Sequence, residues 1–222
     1  LARLPEEADA GRRREYADLL ALAARRPTAW TYWGFRPAPR PANTEDWERT
    51  TAVTAALNRQ LADDDLDVRH FVLQRMLREG VACDVTALRH WVKDESDPGH
   101  LTTILAATAT LPESDAFSIL EPIIMGRGLQ ADIRFAALEK AIEYVAPEDE
   151  SSLPALASVL DDGPVLARLL EEFGRRSDPD ADRLLREKLD STIPVVRAAA
   201  LAALTERGVD QIKNHVIKLL DD

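Results

Sequence analysis

A helical pattern that recurs every 31 to 33 residues constrains this 222-residue chain more than any other feature. DLDVRHFVLQRML begins at Asp65, DPGHLTTILAATATL at Asp97, ADIRFAALEKAI at Ala131, GPVLARLLEEF at Gly163 and TIPVVRAAALAAL at Thr192. Each has an acidic residue, Pro or Gly near its start and then runs into an apolar helical pattern. Arg69, Leu101, Arg134, Leu166 and Arg197 occupy equivalent places, separated by 32, 33, 32 and 31 residues. A period of this size means supersecondary units stacked along the chain.

A second pattern lies between these helices. Leu57 and Leu61 precede Asp63, Leu88 and Val92 precede Asp94, and Leu156 and Leu160 precede Asp161. Leu185 and Leu189 before Asp190, and Val216 and Leu220 before Asp221, repeat the phrase. A spacing of four places both apolar side chains on one helix face. The aspartate ends one helix and is suited to cap the next, because its carboxylate accepts orphan backbone N–H groups. Pro98, Pro164 and Pro194 fall near helix starts, where a missing N–H costs little. Each unit is therefore predicted to be a pair of short antiparallel helices. One pair cannot bury its apolar stripe alone, whereas stacked pairs can. The expected fold is all-α, an α-solenoid (α/α superhelix) of about five helix pairs over residues 44–222. No stretch alternates with period two, so no sheet is predicted.

At Val68-Arg69, Ile133-Arg134 and Val196-Arg197 the chain resembles the HEAT-repeat family, in the short form similar to bilin-lyase HEAT-like repeats. The marks are Asp-x-x-Val-Arg ahead of an alanine- and leucine-rich helix, and the units at Leu101 and Leu166 depart from the Arg. The resemblance implies a fold and says little about activity. Arg69, Arg134 and Arg197 are read as structural, pairing with aspartates of neighbouring turns as a ladder between repeats.

The N-terminal part, residues 1–43, reads differently. An amphipathic helix is expected over about residues 5–24, with Tyr16, Leu19, Leu20 and Leu22 as its apolar positions. The next is expected to start near Thr44, with Thr44 as N-cap. The connector between them is long for a compact domain, so it must be functional or packed down by its own side chains. Trp30, Tyr32, Trp33, Phe35 and Trp47 are five of the chain's twelve aromatics. Pro37, Pro39 and Pro41 alternate with Ala38, Arg40 and Ala42, which favours an extended polyproline rod that needs outside anchors. The segment is read first as a clamp on the N-terminal end. It is read second as a docking surface, with Arg36 and Arg40 stacked on the aromatics.

This stretch, followed by DLDVRHFVLQRMLREGV, looks like the HEAT segment of large bacterial multidomain proteins. In those, a β-propeller similar to sorbosone-type dehydrogenases precedes the repeats and a c-type cytochrome domain follows. The resemblance implies a spacer between redox modules and an exported, periplasmic or cell-envelope location. No CxxCH is present, so no haem residue is carried over. The closing HVIKLLDD matches phrases that elsewhere lead into another repeat, so the parent chain is expected to continue past Asp222.

Composition narrows function by exclusion. The net charge of -11 repels phosphate backbones, so no nucleic-acid partner is expected. No apolar run is long enough for a membrane span. The single Cys83 can form neither an internal disulfide nor a CxxC site, and is read as a small packed residue. His70, His90, His100 and His215 show no metal spacing, and His100, beside Leu101, is assigned a repeat contact. Asp63, Asp65 and Asp67 imitate a calcium loop, but Val68 and Gln74 stand where its Gly and Glu belong. Asp178, Asp180 and Asp182 fail at Arg183 and Leu189. No phosphate loop or nucleophile elbow occurs. The expectation is a non-enzymatic protein-interaction or spacer scaffold with a protein partner, and with no catalytic, cofactor or metal residue. A bilin-lyase-like chromophore enzyme would need an acid and tyrosine cluster on the second helices. A HEAT-like DNA-repair glycosylase would need a basic concave face.

Overall fold

The computed structural model describes residues 7–29, 41–145, 151–176 and 181–208. Among them are eleven α-helices, α1 (Ala10–Ala23) followed by five consecutive pairs, and the fold is all-α. The pairs are α2 (Thr50–Gln60) with α3 (Leu66–Arg78), α4 (Val85–Asp94) with α5 (Pro98–Thr108), and α6 (Glu113–Met125) with α7 (Ala131–Tyr144). They continue with α8 (Ser152–Val159) and α9 (Pro164–Arg175), then α10 (Ala181–Lys188) and α11 (Pro194–Glu206). The periodic positions Arg69, Leu101, Arg134, Leu166 and Arg197 all lie in the first turn of the second helix of a pair. No described helix is long and apolar enough to cross a membrane.

The helix ends follow local chemistry. Asp9, Asp65, Asp84 and Asp97 each cap a helix, their carboxylates accepting backbone N–H groups of the first turn. Pro98, Pro164 and Pro194 open α5, α9 and α11, where the missing N–H has no intrahelical partner to lose. At the end of α3, Gly80 adopts φ +66°, its N–H donates to Leu77 O (3.2 Å), and Val81 N–H donates to Met76 O (2.8 Å). This Schellman closure needs the left-handed conformation that glycine enters without a Cβ clash.

The chain forms two compact units, Leu1–Leu111 and Pro112–Asp222. The expected boundary at 43/44 falls inside the first, where α1 packs on both α2 and α3. In that unit α3 also packs on α5, and Leu57, Leu61, Val72, Leu73, Met76, Leu88, Leu101 and Ile104 form the core. In the second unit α7 packs on α9 and α9 on α11, while α8 packs on α10. Second helices thus stack on second helices within each unit, and among the first helices α8 stacks on α10. The second unit buries Ile119, Leu120, Leu138, Leu166, Leu170, Phe173 and Leu204. The helices α9 and α11 approach each other closely. A Cβ added at Gly174 would lie 3.2 Å from Ala203 Cα, so glycine there lets the two backbones meet.

Three expectations are corrected in the N-terminal region. A short antiparallel ladder exists where no sheet was predicted: β1 (Arg26–Pro27) pairs with β2 (Asn43–Glu45). It is too short to show period-two alternation, and it exists because the limbs of the connector return side by side. Thr44 lies in β2 and caps nothing; α2 starts at Thr50, after Arg49, which makes no side-chain cap bond. The faces of α1 are also exchanged. Ala17, Ala21 and Ala24 are buried against the neighbouring helices, while Tyr16, Leu19 and Leu22 are exposed. Small alanines let α1 approach α2 and α3 closely, which leaves the larger side chains outward.

Candidate functional site

Of the aromatic and arginine residues proposed for interaction, Trp30, Tyr32, Trp33, Phe35, Arg36 and Arg40 lie outside the described residues. Trp47 is described, and it is tied to the end of α1. The last carbonyls of a helix have no intrahelical donor. Here three successive ones are satisfied from the returning limb of the connector. Asn43 Nδ2 donates to Leu22 O (3.1 Å), Trp47 Nε1 to Ala23 O (2.9 Å) and Thr50 Oγ1 to Ala24 O (2.7 Å). The Arg26 guanidinium stacks 4.1 Å from the centre of the Trp47 ring, and Arg25 pairs with Asp46 at 3.3 Å. Thr50 Oγ1 also accepts Trp47 N–H (2.9 Å), which sets the entry into α2. Trp47→Phe keeps an aromatic ring, smaller than the indole, and deletes the Nε1 bond. It is expected to lower stability by about 1 kcal/mol, and Trp47→Ala by more. Thermal melts with amide exchange in the last turn of α1 read both.

Beside this anchor the surface of α2 is concave. One groove of about 620 Å³ runs between Ala55 and Arg59 on α2, Ala62 just past its end, and Thr86, Ala87 and His90 on α4. A second, of about 380 Å³, lies between Arg25, Asp46, Thr51, Thr54 and Val81. Asn58 borders both, and its side chain is already used: Nδ2 donates to Ala82 O (3.1 Å) and Oδ1 accepts Asp84 N–H (2.7 Å).

The densest group of buried polar side chains lies where α3 meets the turn between α4 and α5. Glu95, the residue after α4, is buried, and its carboxylate accepts four bonds. Oε2 takes Trp91 Nε1–H (2.7 Å) and His100 Nδ1–H (2.9 Å), while Oε1 takes the N–H groups of Ser96 and Asp97 (both 2.8 Å). Burial pushes the Glu95 carboxyl upward, but these donors outweigh it and hold the group below its ordinary range. The buried His100 ring faces His70 across the α3–α5 contact, with centroids 4.4 Å apart, and its Nε2 is 3.6 Å from Asp67 Oδ1. His70 Nε2 lies 2.8 Å from Thr103 Oγ1 and 3.0 Å from Gln74 Nε2. Burial, and then the neighbouring His100, lower the proton affinity of His70. Sequence spacing showed only that His100 sat at a repeat contact. The involvement of Glu95 and Trp91 is a product of the turn.

The repeat arginines share one bond type. Arg69 Nε donates to Asp63 O, Arg134 Nε to Ile124 O (2.7 Å) and Arg197 to Ser191 O (2.9 Å): the first and third are carbonyls of the turn between the helices of the pair, and the second is in the last turn of the pair's first helix. Arg134 also reaches Asp161 of the following turn at 3.2 Å. Further links between pairs of the second unit run through Arg168 to Glu139 (2.7 Å) and Lys188 to Asp162 (2.6 Å), while Arg207 binds Asp182 (2.5 Å) within the last pair. Asp63 binds Arg13 of α1 through both oxygens (2.9 and 3.1 Å), and Asp65 caps α3, so these carboxylates are occupied by protein donors. Among the described residues no three His, Cys, Asp or Glu side chains are grouped to hold a metal ion. Cys83 is buried just before α4, and burial pushes its thiol up to about 11. Comparisons with family models, with curated proteins and with solved structures found no match.

Proposed function

We propose that the chain is a non-enzymatic scaffold of HEAT-like helix pairs, stacked as an α-solenoid, that docks a protein partner, either a neighbouring domain of the same parent chain or a separate protein. The observation that carries this reading is the inverted α1. Leu19 is 63% exposed, Leu22 44% and Tyr16 37%, while Ala17 and Ala21 of the same helix are buried. Large apolar side chains turned to solvent on one helix face are what a protein interface uses. Supporting it, the polar groups of the clusters described above are consumed by internal bonds that hold helices together. The spacer role between redox modules and an envelope location extend this proposal.

A photo-crosslinking residue placed at Leu19 in the native host is expected to give one discrete protein adduct. Tyr16→Lys with Leu22→Lys should abolish it. A crosslinker at Val159, exposed on α8 of the second unit, is the comparison. No adduct from position 19, or equal adducts from both positions, would overturn docking through α1. Binding of a linear tetrapyrrole, or salt-dependent binding of duplex DNA, would replace the scaffold reading with one of its enzymatic rivals.

A further inference from the structure

We propose that the α3–α5 contact is a proton-sensitive joint, in which the facing rings of His70 and His100 accept a second positive charge only by moving apart. The geometry carries it. The rings stand 4.4 Å apart, centre to centre, one on each helix. His100 is held from behind by Glu95 at 2.9 Å, and His70 is held by Thr103 at 2.8 Å, so neither ring turns away without breaking a bond.

The charged surroundings do not cancel the effect. Asp67 on α3, and Asp97 and Glu95 in the turn between α4 and α5, favour a proton on His70, yet burial and His100 prevail and its affinity is lowered. From α1, the charged groups that reach α3 or its N-terminal turn are engaged elsewhere, Arg13 with Asp63 and Asp18 with Arg75. A base whose affinity is depressed in the closed contact binds more protons when the contact opens. The contact is therefore at full strength above the ordinary histidine value of 6.5 and weakens as pH falls below it.

Amide hydrogen exchange on the full chain, corrected for intrinsic rates, tests the joint between neutral pH and mildly acid pH. Protection of α3 and α5 is expected to fall severalfold on acidification while α7, α9 and α11 hold. In His70→Gln, where the side chain can still bond Thr103 but cannot titrate, the fall should disappear. Unchanged protection of α3 and α5, or an equal fall in the variant, overturns the proposal. Should the variant lose protection already at neutral pH, ring-proton NMR titration of the unaltered chain decides instead. His70 titrating below 6.5 is the expected result; His70 titrating as an isolated histidine overturns it.

Discussion

Glu95→Ala should destabilise the first unit by about 3–5 kcal/mol, as expected when one partner of a buried, charge-assisted network is removed. Truncation leaves the Trp91 indole, the His100 ring and the backbone N–H groups of Ser96 and Asp97 without their shared acceptor. Glu95→Gln preserves the shape but places an amide N–H among donors, so it should lose roughly half as much. The natural carboxylate also makes this stability pH-dependent. Its proton affinity is lowered in the folded state, so its contribution is present above its ordinary value of 4.5 and is lost as pH falls through the lower folded value. Urea unfolding followed by tryptophan emission measures all of this, because Trp30, Trp33, Trp47 and Trp91 all belong to the first unit. An unmoved midpoint in Glu95→Ala would mean that the turn repacks without its carboxylate.

The second large effect is expected at Phe173→Ala, about 3–5 kcal/mol, from lost burial plus the cavity left behind. Phe173 is fully buried on α9, the helix that packs on both α7 and α11. The surroundings cannot collapse readily into the gap, because Gly174 already brings α9 against Ala203 of α11. Arg207 adds rigidity by donating to Phe173 O at 2.9 Å and to Arg176 O. The second unit has no tryptophan, so circular dichroism and amide exchange in α9 and α11 are the readouts. Leu19→Ala on α1, a truncation at an exposed position, should change stability by less than about 0.5 kcal/mol. A comparable loss from Leu19 would show that α1 packs its leucine face after all.

What periodicity could reveal, it revealed well. The spacing of Arg69, Leu101, Arg134, Leu166 and Arg197 located the second helix of all five pairs, and the prolines marked the first residue of three of them. These signals are local: a cap, a missing N–H and a stripe at helical spacing act within a turn or two of chain. The face that α1 buries was not legible in the same way. Its leucines and tyrosine outrank its alanines in hydrophobicity, and only the tight fit against α2 and α3 reverses the order. The β1–β2 ladder escaped for a related reason, since two or three residues carry no pattern.

All-helical class and pair count follow from repeat spacing alone, because each depends on residues close together in the chain. Tertiary packing decided the rest: which face of α1 meets solvent, where Trp47 anchors, and that the buried Glu95 and His100 gather with the half-buried His70. Those outcomes depend on side chains from different helices competing for the same space and the same hydrogen-bond partners. That competition exists only once the helices have packed.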